Sequence, residues 1–387
     1  MAVLAAWILV QSAQIPRNPW ANPAWRELTS LNSPVLPSVS AAWGESLATI
    51  VPIALPFAVF IVVLGLWPTE VAALKLLRVL GVIGAALAVY GLVQLALSPD
   101  KVLFIRPSLH RDSLTATFLD RNSAALLFGC MAVLFLVRSI DLLRRVLNRH
   151  EHSRDVLRLV VVSTATLLMI GALLLTQSQV GIGATIAGLA ISAAMAATLP
   201  NSKRARRTDQ SRPLKQIALG IGVAAATALT VGILAARALQ RGSGEINDDS
   251  ATCQLPGLIR MLGDNWVLGA GAGTFATTSP SYADPDCGIS QVGVTMHSGL
   301  LEGWITLGLP FVAATVAMAV ILSIVLIRGL ANRRRMRWVP IVGVGVLVVV
   351  ALASVLDSSV RLPGLAVLIA ALLAPICAIC LTEPQQG

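Results

Sequence analysis

Apolar residues run along this chain in long unbroken blocks, and polar residues collect in the gaps between them. The blocks lie at about residues 2–15, 47–66, 73–97, 123–144, 157–176, 180–199, 215–236, 298–326, 339–356 and 363–381. Nearly all hold roughly 18 residues or more with few charges, enough for a helix to cross the hydrocarbon core of a bilayer. Polar and apolar residues do not alternate within them, which sets aside a membrane β-barrel. The pattern predicts an all-α, polytopic integral membrane protein with about ten transmembrane helices. Along the chain it divides into N-terminal helices with an outer loop (1–97), middle helices (98–236), one long outer loop (237–297) and C-terminal helices (298–387), within one membrane domain overall. The first block is short: about 14 residues precede Pro16, so it is expected either to continue a helix that starts further upstream or to lie partly in the interface. A signal peptide is not expected there, because no charged stretch followed by a small-residue cleavage site is present.

Composition agrees with the pattern. The chain is 56% hydrophobic and only 12% charged, with a mean hydropathy of +0.79, whereas soluble domains carry roughly a quarter charged residues. That excludes a soluble enzyme, a disordered chain and a disulfide miniprotein. The net charge of +10 could point to nucleic acid, but its distribution points elsewhere. With the N-terminus on the cytoplasmic side, 19 of the 29 Lys and Arg fall in short inner segments, while 13 of the 19 Asp and Glu fall on the outer side. This is the positive-inside arrangement, with both termini inside and the basic clusters facing an anionic leaflet. Membrane lipids are therefore the expected partner of the basic clusters, and nucleic acid is not. Trp20, Trp25 and Trp43 suit an aromatic belt at the outer surface.

Three of the five cysteines, Cys130, Cys377 and Cys380, lie in apolar blocks and are read as small hydrophobes. The Cys377-Ala-Ile-Cys380 spacing matches a redox motif, but a terminal apolar helix is the wrong setting for one. Cys253 and Cys287 both fall in the long outer loop, where a disulfide is chemically reasonable.

The polar groups that topology does not explain gather on the outer side: Arg121, Arg260, His297, Glu302, Asp357 and Arg361. His297 stands in Thr295-Met296-His297-Ser298. With Thr295 as N-cap it would occupy the first turn of a helix, whose terminus disfavours imidazolium and keeps a neutral, base-competent ring. A polar residue at the lipid–water boundary with no chemical role fits the same spacing. The run Gly269-Ala270-Gly271-Ala272-Gly273 is weak evidence for a nucleotide loop without a strand before it and a helix after it. It reads equally as a turn offering backbone amides to an anion or as a turn of no functional consequence. No His/Asp/Glu ligand cluster suggests a metal.

Four short pieces, in order, resemble the O-antigen ligase and Wzy-type polysaccharide polymerase superfamily. They are Val89-Tyr90-Gly91-Leu92-Val93-Gln94, Ala116 through Ala125, Arg260 through Phe275, and His297 through Pro310; Asp357 through Pro363 forms a weaker coda. Together they span roughly three-quarters of the chain. The resemblance implies a GT-C-like membrane fold in the bacterial inner membrane, with its active face periplasmic. It implies glycosyl transfer from an undecaprenyl-diphosphate-linked glycan to a glycan or lipid A-core acceptor, inverting, with no metal and no cofactor. By matching position His297 takes the catalytic role, and Arg121, Arg260 and Arg361 bind the diphosphate. Glu302, Gly271, Gly273 and Gln179 are supporting positions, and components of a polysaccharide export system are implied partners. One departure stands out: Gln179 occupies a turn where the family commonly has an arginine, and an amide can hydrogen-bond a phosphate but supplies no Coulomb attraction. Two readings from other classes stay open, a lipid-linked glycan transporter or flippase and a non-catalytic assembly protein.

Overall fold

A computed structural model of the chain describes residues 2–16, 18–23, 25, 36–98, 101–103, 105–107, 113–148, 153–198, 250–282, 298–333 and 336–382. The described residues are almost entirely helical. In chain order the helices are α1 (Ala2–Ser12), α2 (Trp43–Ala48), α3 (Ile50–Leu66), α4 (Glu70–Leu97), α5 (Arg121–Asn148), α6 (Ser153–Leu175), α7 (Gln179–Thr198), α8 (Ser250–Asn265), α9 (Phe275–Thr278), α10 (Gly299–Leu307), α11 (Leu309–Asn332), α12 (Trp338–Leu356) and α13 (Pro363–Leu381). A two-residue antiparallel pairing, β1 (Lys101–Val102) with β2 (Arg106–Pro107), is the one departure from helix and turn among the described residues.

Eight helical stretches among the described residues are long and apolar enough to cross a membrane: Trp43–Leu66, Glu70–Leu97, Arg121–Leu147, Asp155–Leu175, Gln179–Thr198, Leu309–Asn332, Trp338–Leu356 and Pro363–Leu381. The chain is thus a multi-pass membrane protein. The first expected block is short, as read from its sequence, and the bounds of the block 298–326 are corrected. The first block forms a helix of only 11 residues, about 16 Å at 1.5 Å per residue, against a hydrocarbon core of roughly 30 Å. The block 298–326 is broken. Gly308 takes φ +69° and ends α10, and Leu309-Pro310 opens α11, where the missing N–H of proline costs nothing in the first turn. The expected span at 215–236 lies outside the described residues.

The chain forms two compact units. The first comprises Met1–Ala58 and Leu239–Ile321, the second Val59–Ala238 and Leu322–Gly387. In the first unit, α1 meets the carbonyl groups that the end of α10 leaves without intrahelical donors. Trp7 Nε1 donates to Leu307 O (2.9 Å), and Gln11 Nε2 donates to Thr306 O (3.1 Å) and Leu268 O (2.6 Å). Ile8, fully buried, packs with Ala272 and Leu307.

The second unit is a helical bundle around α5, two-thirds of whose apolar stretch is buried. Apolar area drives no helix association in lipid, so close packing must hold such a bundle. Small residues provide it. A Cβ on Gly181 would strike Ala125, one on Gly188 would strike Val349, and one on Gly345 would strike Ser192, so α7 lies tight against α5 and α12. Ser139 of α5 and Thr166 of α6 add a buried hydroxyl pair at 3.4 Å.

Candidate functional site

The second unit assembles a polar network where the starts of α5 and α7 meet the end of α12. Asp120 is the N-cap of α5: its Oδ2 accepts from Ser123 N (3.0 Å) and Ser123 Oγ (3.1 Å). Ser178 caps α7 in the same way, accepting from Gly181 N at 3.0 Å, and its hydroxyl donates to Asn122 Oδ1 at 2.7 Å. Asn122 in turn donates Nδ2 to Asp357 Oδ1 at 3.0 Å. Asp357, at the end of α12, turns the chain by accepting from Ser359 N (2.8 Å), the local side-chain bond that short acidic residues favour at turns. Ser359 Oγ lies within hydrogen-bonding reach of both carboxylates, Asp357 Oδ2 and Asp120 Oδ2, the latter at 3.1 Å. Its single proton can serve only one of them at a time. Asp357, Ser359, Ser123 and Ser178 are buried.

Three of the expected site residues stand at this network. Arg121, the first residue of α5, is half-buried and makes no hydrogen bond or ion pair among the described residues. Gln179, the first residue of α7, is exposed, as is Arg361 in the turn between α12 and α13. Two helix N-termini opening on one place offer partial positive charge there, and one arginine starts α5 itself. The turn before α7 is unusual in its backbone: Gln177 takes φ +55°, a left-handed conformation uncommon for a residue other than glycine. Thr176 supports it, with its hydroxyl donating to Leu173 O and its Oγ1 accepting from Ser178 N (3.3 Å).

The first unit carries Arg260, Glu302, Gly271 and Gly273. Arg260 is exposed on α8, whose Met261 is fully buried with Ala270, Phe275 and Ile305. Trp266 and Val267, just beyond that helix, are exposed apolar groups, as expected of an interfacial segment. Asn265 Nδ2 donates to Met261 O (2.9 Å) and to the Tyr282 hydroxyl (3.4 Å), and burial pushes the Tyr282 phenol above its ordinary range. Glu302 is buried in the first turn of α10.

The glycine run has a steric explanation. Gly271 has φ +113°, and a Cβ there would collide with the Ser40 hydroxyl; at Gly273, φ +74°, it would come within 2.6 Å of Thr49 Cγ2. The amides of Gly269, Ala270 and Gly271 already donate to Asn265 O, Ile305 O and Thr306 O. Those three N–H groups are committed to the protein itself. Ser46 Oγ closes the turn by donating to Ala272 O at 2.9 Å.

The N-cap expected at Thr295 is corrected. The first helical residue of α10 is Gly299, and Ser298 is its cap, with its Oγ accepting from Leu301 N at 3.3 Å. His297 and Cys287 lie outside the described residues, and so does the side chain of Cys253, so the disulfide does too. Cys130, Cys377 and Cys380 are free and buried. Among the described residues no group of three or more His, Cys, Asp or Glu side chains comes together to hold a metal ion.

Sequence reasoning picked out the arginines and Asp357 but not Asp120, Asn122, Ser123, Ser178 or Ser359. Local signals for some of them exist: Asp120-x-x-Ser123, and Ser178 immediately before the apolar run that starts at Gln179, have the spacing of helix caps. What links the caps is contact between residues as much as 239 apart, which no spacing rule encodes. Compared with known proteins, this chain matches no protein-family model and no curated protein.

Proposed function

We propose that this chain is a glycosyltransferase of the O-antigen ligase and polymerase type. It takes a glycan from an undecaprenyl-diphosphate donor and passes it to a sugar hydroxyl at the periplasmic face of the inner membrane, as polymerase or ligase. The observation that carries the reading is the pairing of helix N-termini at the start of α5 and α7 with Arg121, whose guanidinium has no partner among the described residues. A lipid diphosphate leaving group departs with negative charge, and such a place stabilises it. The resemblance noted above supplies the glycan chemistry.

In this reading the acceptor oxygen attacks the anomeric carbon, the bond from that carbon to the phosphate oxygen breaks, and the electron pair leaves with the lipid diphosphate. The acceptor proton passes to His297. Configuration inverts because a single displacement occurs, without a protein nucleophile. Arg121 and Arg361 hold the leaving diphosphate, and Arg260, carried by the first unit, is assigned the same chemistry from the resemblance.

The test is transfer by the purified protein with a defined lipid-diphosphate-linked donor. His297→Ala is expected to lower the rate by roughly 10²–10⁴-fold, the range for loss of a general base, with membrane abundance intact. Full activity in His297→Gln would remove the histidine from the mechanism, and absence of transfer in the wild type with every supplied acceptor would sink the reading. A second reading, a transporter of the lipid-linked glycan, is favoured by one observation. Transporters place substrate at interrupted helices, and the block 298–326 is interrupted at Gly308. Movement of a labelled donor across vesicles by the wild type, without new glycosidic bonds, would select it.

A further inference from the structure

At the end of the second unit opposite Arg121, two guanidinium groups of α5 pair with one buried carboxylate, and arginines of α4 and α6 stand near them. Asp141, 4% exposed, takes Arg138 Nη1 at 2.7 Å and Arg145 Nη2 at 2.8 Å on the same oxygen, Oδ2. Arg138 also lies over the Trp338 ring, 4.6 Å from its centroid. Arg78 of α4 and Arg158 of α6 are both near enough to Arg138 to act on it electrostatically. Arg158 has a partner in Asp155 at 3.2 Å, but its own side chain is largely exposed, which weakens the pair. Arg144 of α5 also acts on Asp141, so five guanidiniums stand against the carboxylates of Asp141 and Asp155, leaving an excess of positive charge. The Trp338 indole N–H, in a residue only 6% exposed, has no acceptor among the described residues.

We infer that this end of the bundle binds the headgroup of an anionic phospholipid. A phosphodiester neutralises the excess charge as arginine forks do best, through planar paired hydrogen bonds, and its oxygens supply the acceptor that the buried indole lacks. The neighbouring surface commits the ligand to a lipid and not a soluble phosphate. Val82 of α4 and Val161 of α6, each about one turn from Arg78 and Arg158 toward the middle of its helix, are 69% and 59% exposed, so acyl chains find apolar walls beneath the headgroup. Basic pockets between membrane helices on the anionic leaflet are the expected setting for such a lipid. The inference is independent of the glycosyl-transfer reading, which concerns the other end of the unit.

The experiment is native mass spectrometry on the full chain in detergent, titrated with phosphatidylglycerol or with phosphatidylcholine of the same acyl chains. Wild type is expected to retain phosphatidylglycerol at about tenfold lower lipid concentration than phosphatidylcholine. The double variant Arg78→Gln/Arg158→Gln, which leaves the Asp141 pairs in place, is expected to lose about tenfold, essentially the whole of that preference, since each substitution removes a basic group near the leaflet. Restoring the charges as Arg78→Lys/Arg158→Lys is expected to recover part of it. Trp338→Phe keeps the ring under Arg138 and removes the N–H; unchanged retention there would overturn the part assigned to the indole. Equal retention of the two lipids by wild type, or wild-type preference in the Gln double variant, overturns the site. Displacement of bound phosphatidylglycerol by millimolar inorganic phosphate would assign it to a soluble anion instead.

Discussion

The two ends of the second unit both bury a carboxylate, yet they satisfy it in opposite ways. At the basic end Asp141 receives guanidiniums, two on a single oxygen, and positive charge is left over. At the other end Asp120 and Asp357 receive amides and hydroxyls from Ser123, Asn122 and Ser359, and Arg121 is tied to neither. Charge matching at the first end runs along one face of α5, at i, i+3 and i, i+4 spacing. At the second, Asp357 is held by the neutral donors Asn122 and Ser359, and Arg121 makes no ion pair among the described residues. A buried carboxylate solvated by short neutral donors keeps its geometry without drawing in a cation, and this is the arrangement expected where a cation is needed for something else.

The comparison can be broken most directly at Arg121. Arg121→Ala is expected to lower glycan transfer by about 10²–10³-fold, the usual loss for one stabilising donor at a departing anion, with no change in melting temperature. Arg121→Lys should recover part of the rate, because charge is kept and the planar fork is lost. A fall in melting temperature as large as the fall in rate would make Arg121 a structural group like Arg138. Next in size is Asp141→Ala. Removing the shared carboxylate leaves two partly exposed guanidiniums unpaired and is expected to cost about 2–3 kcal/mol, less than a fully buried pair would. The measurement is the thermal transition in detergent, and an unchanged transition would mean the arginines already find their counter-ion in lipid. Asp357→Asn keeps the shape but removes the charge that Asn122 and Ser359 hydrogen-bond; a loss of about 1–2 kcal/mol is expected. Ser178→Ala is the smallest, about 1 kcal/mol for the lost cap of α7. If it also lowers transfer more than the stability change explains, the cap positions Asn122 for chemistry.

Much of the fold is legible because a bilayer crossing leaves a coarse mark: runs such as 339–356 and 363–381 coincide with α12 and α13 nearly residue for residue. The misreadings occur where a local backbone signal competes with hydropathy. Gly308-Leu309-Pro310 was there to be read as a stop and a restart, but its apolar neighbours carry the average across it. Ser298 and Thr295 are equally good caps in isolation, and only the position of Leu301 N decides between them. The arginines of the candidate site stand out because a charge beside a span is conspicuous. The hydroxyls that organise it do not, since Ser and Thr are common in membrane helices and their roles depend on partners far away in the chain.

The bonds that α1 makes have a temporal side. Gln11 and its acceptor Thr306 are separated by 295 residues, so α1 reaches its resting place only after α10 has been made. At roughly 5–20 residues per second, that is a wait of about 15–60 s, during which the two tryptophan and glutamine donors of α1 have only water, lipid or the insertion machinery to satisfy them. Residues 59–238, the first segment of the second unit, are synthesised entirely within that interval. Synthesis is therefore interleaved: the first segment of the second unit is delivered before the first unit can close, and residues 322–387 complete the second unit after it. A slow-translating stretch before residue 299 would lengthen the period in which that helix is open to proteolysis.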